Sequence, residues 1–271
     1  MRSQKHLLQH YRKSTILLRQ LVITDFKLRY QGSVLGYAWS LLRPLLLFLI
    51  LYLVFVKGLR VGGGIPNFPV YLLLGIVMWN FFAEMTSQSL GSVVDRGDLI
   101  RKVRIPRWII VISSSVSALI NLGLNLLVVF VFMLFSHVDL MRSALWLPLI
   151  LLQLYIFSLG MSFFLATAFV KYRDISYIWE VILQAGFYAT PIIYPLTVIT
   201  NTTFQKLIIL NPVATAMQDA RHAMVTTSAP TIHSVFGGDI SRLIPYGFTV
   251  FIFIVGILYF KKEAKDFAEN L

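Results

Sequence analysis

Cysteine is absent from the 271-residue chain, so neither disulfides nor thiolate metal sites are open to it. Histidine is scarce. His6, His10, His137, His222 and His233 show no H-E-x-x-H or related spacing, and none lies well inside an apolar stretch. A metal-dependent membrane enzyme is not expected, and no metal ligand or catalytic residue is assigned. The G-x-x-x-x-G-K-[ST] phosphate loop is also missing, so the chain is not itself a P-loop ATPase. Gly62, Gly63 and Gly64 come nearest to one, but no strand precedes them and no Lys follows; they read as a turn. Charge is sparse as well. Only 13% of residues are charged against 57% hydrophobic, more apolar surface than a soluble core can hide.

Six apolar stretches account for it: Tyr37–Val56, Val70–Leu90, Ile109–Phe135, Ala144–Val170, Ser176–Tyr194 and Leu243–Phe260. Each approaches or exceeds the ~20 residues a helix needs to cross a hydrocarbon core of about 30 Å. Of the 24 Lys and Arg, 17 flank alternate loops and both termini: seven before the first stretch, then Arg96, Arg101, Lys102, Arg104 and Arg107, then Lys171 and Arg173, then Lys261, Lys262 and Lys265. The opposite loops hold only Lys57, Arg60, Arg142, Lys206, Arg221 and Arg242. Positive flanks stay cytoplasmic, so both termini of a multi-pass protein are expected in the cytoplasm. The net charge of +12 follows largely from this asymmetry, and nucleic acid is not an expected partner. The first apolar run begins too far from the N-terminus for a cleavable signal peptide, so it is read as a retained anchor.

The expected organisation is a cytoplasmic amphipathic segment (residues 1–36), a six-span domain (37–260) and a cytoplasmic tail (261–271). Within the first segment Leu7, Tyr11, Leu18, Leu21 and Val22 recur at helical spacing beside Arg12, Lys13 and Arg19, which suits a helix lying on the membrane surface. Two loops stand out. Residues 91–108 form a dense basic cytoplasmic loop whose charge fits either a docking surface for a soluble partner or a simple topology signal. Residues 196–242 lie outside the membrane and contain an apolar run, Leu207–Met217, too short to span; a re-entrant or interfacial hairpin fits it. The segment from Thr226 to Asp239 is long and polar, with no assigned role.

Three spans carry patterned polarity. Tyr37, Leu41, Pro44, Phe48, Tyr52 and Phe55 share one face of the first span, and Tyr177, Glu180, Gln184, Tyr188, Pro191 and Tyr194 form a stripe on the fifth. Ser114, Ser117, Asn121 and Asn125 line one face of the third, where packing between helices is the preferred reading. Ser158, Ser162 and Ala166 on the fourth form a small-residue packing row. Glu84 and Glu180 are intramembrane carboxylates, and Arg43 is placed to snorkel to the inner headgroups. Aromatic rings stack on sugar C–H faces while phenols, amides and carboxylates exchange hydrogen bonds with hydroxyls, so the first and fifth stripes suit either a sliding glycan or helix packing.

Five motifs in register resemble one family. The run Asp25–Pro44 (DFKLRYQGSVLGYAWSLLRP) resembles the entry to the first span in permease subunits of polysaccharide-exporting ABC transporters. Leu99–Arg107 (LIRKVRIPR) looks like their loop between spans two and three. Arg173-Asp174-Ile175, Thr190–Pro195 (TPIIYP) and Leu210-Asn211-Pro212 are similar to three further signatures in the same order. The resemblance covers nearly the whole chain. It implies an all-α integral membrane protein with six transmembrane helices, an N-terminal interface helix and outward re-entrant helices around Leu207–Met217. It also implies a homodimer working with two copies of a separate ABC ATPase. That partner carries ATP and Mg; this chain carries no cofactor of its own. The cargo implied is a lipid-linked glycan such as an O-antigen, capsule or teichoic acid precursor, exported across the cytoplasmic (inner) membrane in which the chain would sit.

By the same resemblance, Arg101, Lys102, Arg104, Pro106 and Arg107 contact the ATPase. The channel-lining candidates are Tyr37, Phe48, Tyr52, Phe55, Tyr177, Glu180, Gln184, Tyr188 and Tyr194, and the re-entrant candidates are Leu210, Asn211 and Pro212. Alternatives are an ABC exporter of small lipids or drugs, an ion-coupled glycolipid flippase, and a membrane-embedded sugar transferase. The last needs a catalytic carboxylate near a cationic clamp, which neither Glu84 nor Glu180 has in sequence.

Overall fold

The computed structural model describes residues 14–27, 32–61, 64–102, 106–139, 142–238, 241 and 243–267. All regular structure among them is helical. Helix α1 covers residues 14–27. Helix α2 runs Ala38–Leu51 and continues as a π-helical segment, Tyr52–Gly58. Then come α3 (Phe68–Ser92), α4 (Gly97–Lys102), α5 (Trp108–Phe135), α6 (Leu147–Lys171), α7 (Ile175–Ala189), α8 (Thr202–Ile209), α9 (Pro212–Met224), α10 (Ile232–Phe236) and α11 (Leu243–Glu263). Leu7, Tyr11, Arg12 and Lys13 lie outside the described residues, as do Arg104 and Arg242.

Among the described residues, five helices are long and apolar enough to cross a membrane: Ala38–Gly58, Phe68–Ser92, Trp108–Phe135, Arg142–Lys171 and Leu243–Asp266. The remaining apolar stretch behaves differently. Helix α7 has 15 residues, about 22 Å of rise, which falls short of a 30 Å core. It stops because Pro191 lacks an amide hydrogen and pushes its predecessor into extended backbone; Thr190 sits at φ −85°, ψ 139°. Where the sequence pattern predicts a continuous span to Tyr194, the helix ends at Ala189.

The segment after that break folds back into short helices. The Asn201 side chain accepts hydrogen bonds from the Thr203 and Phe204 amides to start α8, and Asn211 accepts one from Val213 to start α9 with Pro212 in its first turn. Helix α9 then packs against α3, α6 and α11, and nearly every one of its side chains is buried. Within the polar segment after Thr226, Thr231 and Ser234 form a reciprocal capping box that opens α10.

At the centre stands α3, buried on almost all sides by α2, α5, α6, α7 and α9, which explains why its apolar residues show no single face. Two rows of small residues let α6 approach its neighbours. Ser158, Ser162 and Ala166 are fully buried, and Ser162 Oγ donates to Met85 O of α3 at 3.4 Å. The other row meets α11: a Cβ on Gly256 would lie 2.2 Å from Gly160 O, so the two backbones touch. Lys171 and Glu263 pair at 2.5 Å where the same two helices end. Gly256→Val should force α6 and α11 apart and destabilise the protein by about 1–3 kcal/mol, seen as a lower melting temperature in detergent. Gly247→Ala on the same helix meets no atom within 4 Å and should leave it unchanged.

Candidate translocation surface and polar cleft

Helix α7 has two unlike sides. One is held by α3: Trp179 is buried and its Nε1 donates to Thr86 Oγ1 at 3.2 Å, while Gly186 admits the Trp79 ring so closely that a Cβ would sit 2.8 Å from it. The other side carries Tyr177, Glu180, Gln184 and Tyr188, all exposed in the single chain. Tyr194 belongs elsewhere. Its hydroxyl donates to Tyr188 O at 3.1 Å and Ala189 O at 3.3 Å, satisfying carbonyls that the broken helix leaves open.

The stripe on the first span is divided. Tyr37 is 54% exposed, whereas Phe48 is 6% exposed and packs edge-on against Phe132 of α5, with ring centroids 5.4 Å apart. Phe48, expected on the channel-lining stripe, is buried in the single chain because its face of α2 meets α5. Tyr52 and Phe55 are half-buried on the π-helical segment, with Lys57 Nζ 5.9 Å from the Tyr52 ring centroid. A π-helical turn shifts the register of the side chains that follow it.

The serines and asparagines of α5 also split. Ser114 Oγ lies 3.0 Å from Ser89 Oγ and knits α5 to α3. Asn121 and Asn125 instead open onto a cleft shared with α2 and α3. There Asn121 Nδ2 donates to Glu84 Oε1 at 2.5 Å, and Gln88 Nε2 donates to the same oxygen at 2.6 Å. Asn125 Nδ2 donates to Ser40 O at 3.3 Å. Arg43 lines the cleft too. No group of three or more His, Asp or Glu side chains converges on a metal position among the described residues.

Arg221 of α9 organises the opposite end of α3. It is fully buried, and its Nε donates to Tyr71 O at 3.0 Å while its two terminal nitrogens donate to Pro191 O at 2.5 Å and Ile192 O at 2.8 Å. Its guanidinium stacks 3.7 Å from the Tyr71 ring centroid. Gly75 leaves the room, since a Cβ there would be 2.2 Å from a guanidinium nitrogen. Of the re-entrant candidates, Asn211 is exposed, Leu210 half-buried and Pro212 buried, all at the start of α9.

At the other end of the molecule, Arg101 and Lys102 close α4 and are exposed, with Pro106 and Arg107 half-buried just before α5. Arg96 ion-pairs with Asp25 of α1 and donates to Ser113 Oγ of α5 at 3.3 Å, so α1, the segment before α4 and α5 share one side chain.

The family model described as "ABC-2 type transporter" matches residues 16–225, from α1 through α9. This chain belongs to the ABC-2 type transporter family. The match takes in both the stripe of α7 and Arg221, and stops before α10. Among similar proteins, an "O-antigen export system permease protein RfbA" of Myxococcus xanthus is 34% identical over 203 residues, 74% of this chain and 77% of its own. Two proteins of that name from Klebsiella pneumoniae are 32% and 31% identical over 254 and 255 residues, each covering 93% of this chain and 94% of its own.

The sequence pattern counts Arg221 of this ABC-2 transporter among the outer-loop charges, which leaves its burial unread. The signal available was its position on a short helix rich in Ala and Met beside the Leu-Asn-Pro cap, where a lone cation has no exposed face to occupy. Arg221→Lys keeps the charge but cannot reach three carbonyls in a planar fork. Together with Gly75→Ala, which invades the same space, it defines a double-mutant cycle. Each single change should cost about 2–3 kcal/mol, and the pair should cost clearly less than the sum in thermal denaturation of the purified protein.

Proposed function

We propose that this ABC-2 transporter is the channel-forming permease subunit of an ATP-driven exporter that moves a lipid-linked polysaccharide of the O-antigen kind across the cytoplasmic membrane. The observation that carries this reading is the free side of α7. Glu180 and Gln184, flanked by Tyr177 and Tyr188, point away from their own protomer. A carboxylate left against lipid in mid-span costs about 2.5 kcal/mol or more. A second copy of the chain removes that cost by enclosing a wet path between two α7 stripes, with Tyr37, Tyr52 and Phe55 of α2 beside it. Phenol, amide and carboxylate side chains let a sugar chain slide, because no single contact holds it deeply. Relatives named for O-antigen export, 31–34% identical over most of the chain, favour a glycan over small lipids or drugs as cargo.

In this reading α7 and the turn that follows it make a sixth, broken crossing, which puts both termini in the cytoplasm. Helices α8 and α9 then form the outward re-entrant pair. Two copies of a separate ATPase bind ATP and Mg and dock on Arg101, Lys102, Arg104, Pro106, Arg107 and α1. Closure of the ATPase pushes α4, and Arg96 passes the displacement to α1 through Asp25 and to α5 through Ser113. ATP drives transport only to the extent that it favours one conformation over the other.

The test is ATP hydrolysis and glycan export by this chain co-purified with its ATPase in lipid nanodiscs and proteoliposomes. Lipid-linked glycan should stimulate hydrolysis, and failure of any ATPase to bind would end the proposal. Arg101→Glu with Arg104→Glu should abolish stimulation while membrane insertion stays intact; normal export in that variant removes the docking assignment. Tyr188→Ala should slow export about threefold to tenfold, the equivalent of about 0.5–1.5 kcal/mol for a lost aromatic contact, without dissociating the complex.

A further inference from the structure

The cleft between α2, α3 and α5 encloses about 630 Å3, with Leu183 of α7 in its wall. That volume falls in the range of about 300–1,000 Å3 common to small-ligand sites. Its chemistry differs from that of the α7 stripe. The Glu84 carboxylate takes hydrogen bonds from both Asn121 and Gln88 on one oxygen, which fixes the Asn121 amide: turning it over would set two oxygens against each other. Asn121 Oδ1, on a side chain only 3% exposed, is thereby left without a hydrogen-bond donor. Asn121 and Gln88 thus hold the Glu84 carboxylate as an acceptor in the wall of the cleft. Trp39 of α2, 45% exposed, offers an indole face to the same space, and Arg43 adds donors one helical turn further on.

We infer that this cleft is a sugar-binding subsite that seats one hydroxyl-rich, hexose-sized residue of the translocated chain before it reaches the α7 stripe. Sugar hydroxyls bond to the Glu84 carboxylate and to Arg43, and the apolar ring face lies on Trp39. Glu84 stands sixteen residues into α3, about 24 Å from the end of that helix nearest Arg221. The cleft is therefore in the half of the molecule that carries α1 and α4, where cargo enters in the exporter reading on which this inference rests. The stripe lets a chain slide; the cleft holds its sugar in one orientation.

The absence of native cysteine makes the test direct. Ser87→Cys places a single thiol on an exposed position of the cleft wall, and Tyr188→Cys places one on the stripe. Each variant, assembled with its ATPase, is labelled by a water-soluble methanethiosulfonate in inverted membrane vesicles. The vesicles come from host cells making their lipid-linked glycan and from cells blocked at the first sugar transfer to the lipid. Labelling at position 87 should be about threefold slower when glycan is present, as a cleft occupied about two-thirds of the time requires. A thiol at 87 that never reacts overturns the inference, because the cleft is then closed to water. A thiol at 87 that reacts equally with and without glycan, while 188 is protected, overturns the subsite and leaves the exporter reading intact. Glycan-independent labelling at both positions overturns both.

Discussion

An arginine buried without a carboxylate has to find acceptors elsewhere, and the way Arg221 does so governs the arrangement of this protein. Its three hydrogen bonds go to backbone carbonyls, two of them on Pro191 and Ile192 just past the end of α7. Those oxygens are available because a proline stops the helix, leaving carbonyls without helical partners. The break in α7 and the buried cation on α9 are thus complementary: each supplies what the other lacks. Tyr71 and Gly75 complete the fit from α3, one by stacking and the other by having no side chain. Position and rotation of α7 follow from this anchor at one end and from Trp179 on Thr86 nearer the other.

Hydroxyls inside the bundle are mostly consumed locally. Thr86 donates to Phe82 O at 2.8 Å, Ser158 to Leu154 O at 2.7 Å and Thr167 to Phe163 O at 2.7 Å, each back to its own helix. Such residues narrow the helix surface and permit close packing without creating a site. Against that background two places differ in kind. The free side of α7 holds a carboxylate, an amide and two phenols that none of the described helices covers, and the Glu84 cluster gathers amides around a carboxylate beside open space. The cleft is walled by α3 and α7 packs on the same helix, so the central helix links the two.

The basic end is tied into the same frame. Arg96 reaches α1 through Asp25 and α5 through Ser113, and Lys171 joins Glu263 across the ends of α6 and α11. A push on the exposed residues of α4 meets a connected set of helices and not a loose loop, a condition for carrying movement from a soluble partner to the apolar helices.

Much of this was readable from residue order. Five of the six apolar runs read as spans, the charge asymmetry of the flanks, the small-residue row on α6 and the register of five motifs are local properties, determined by hydropathy and spacing alone. So was the polar face of α7, because a helical stripe needs only its own repeat. Partner faces were not. Periodicity puts Phe48 on a stripe with Tyr37, but only docking against Phe132 decides that it is covered. Pro191 was visible and ends the helix by its own chemistry, but that its carbonyl meets a buried cation distant in sequence was not. Asn121 reads as a packing residue until α3 brings Glu84 beside it and leaves its oxygen without a donor. The sequence by itself determined which segments leave water and which faces are polar, since each rests on the chemistry of neighbours along the chain. Tertiary structure alone decided which polar faces stay open, because that depends on which helix covers them.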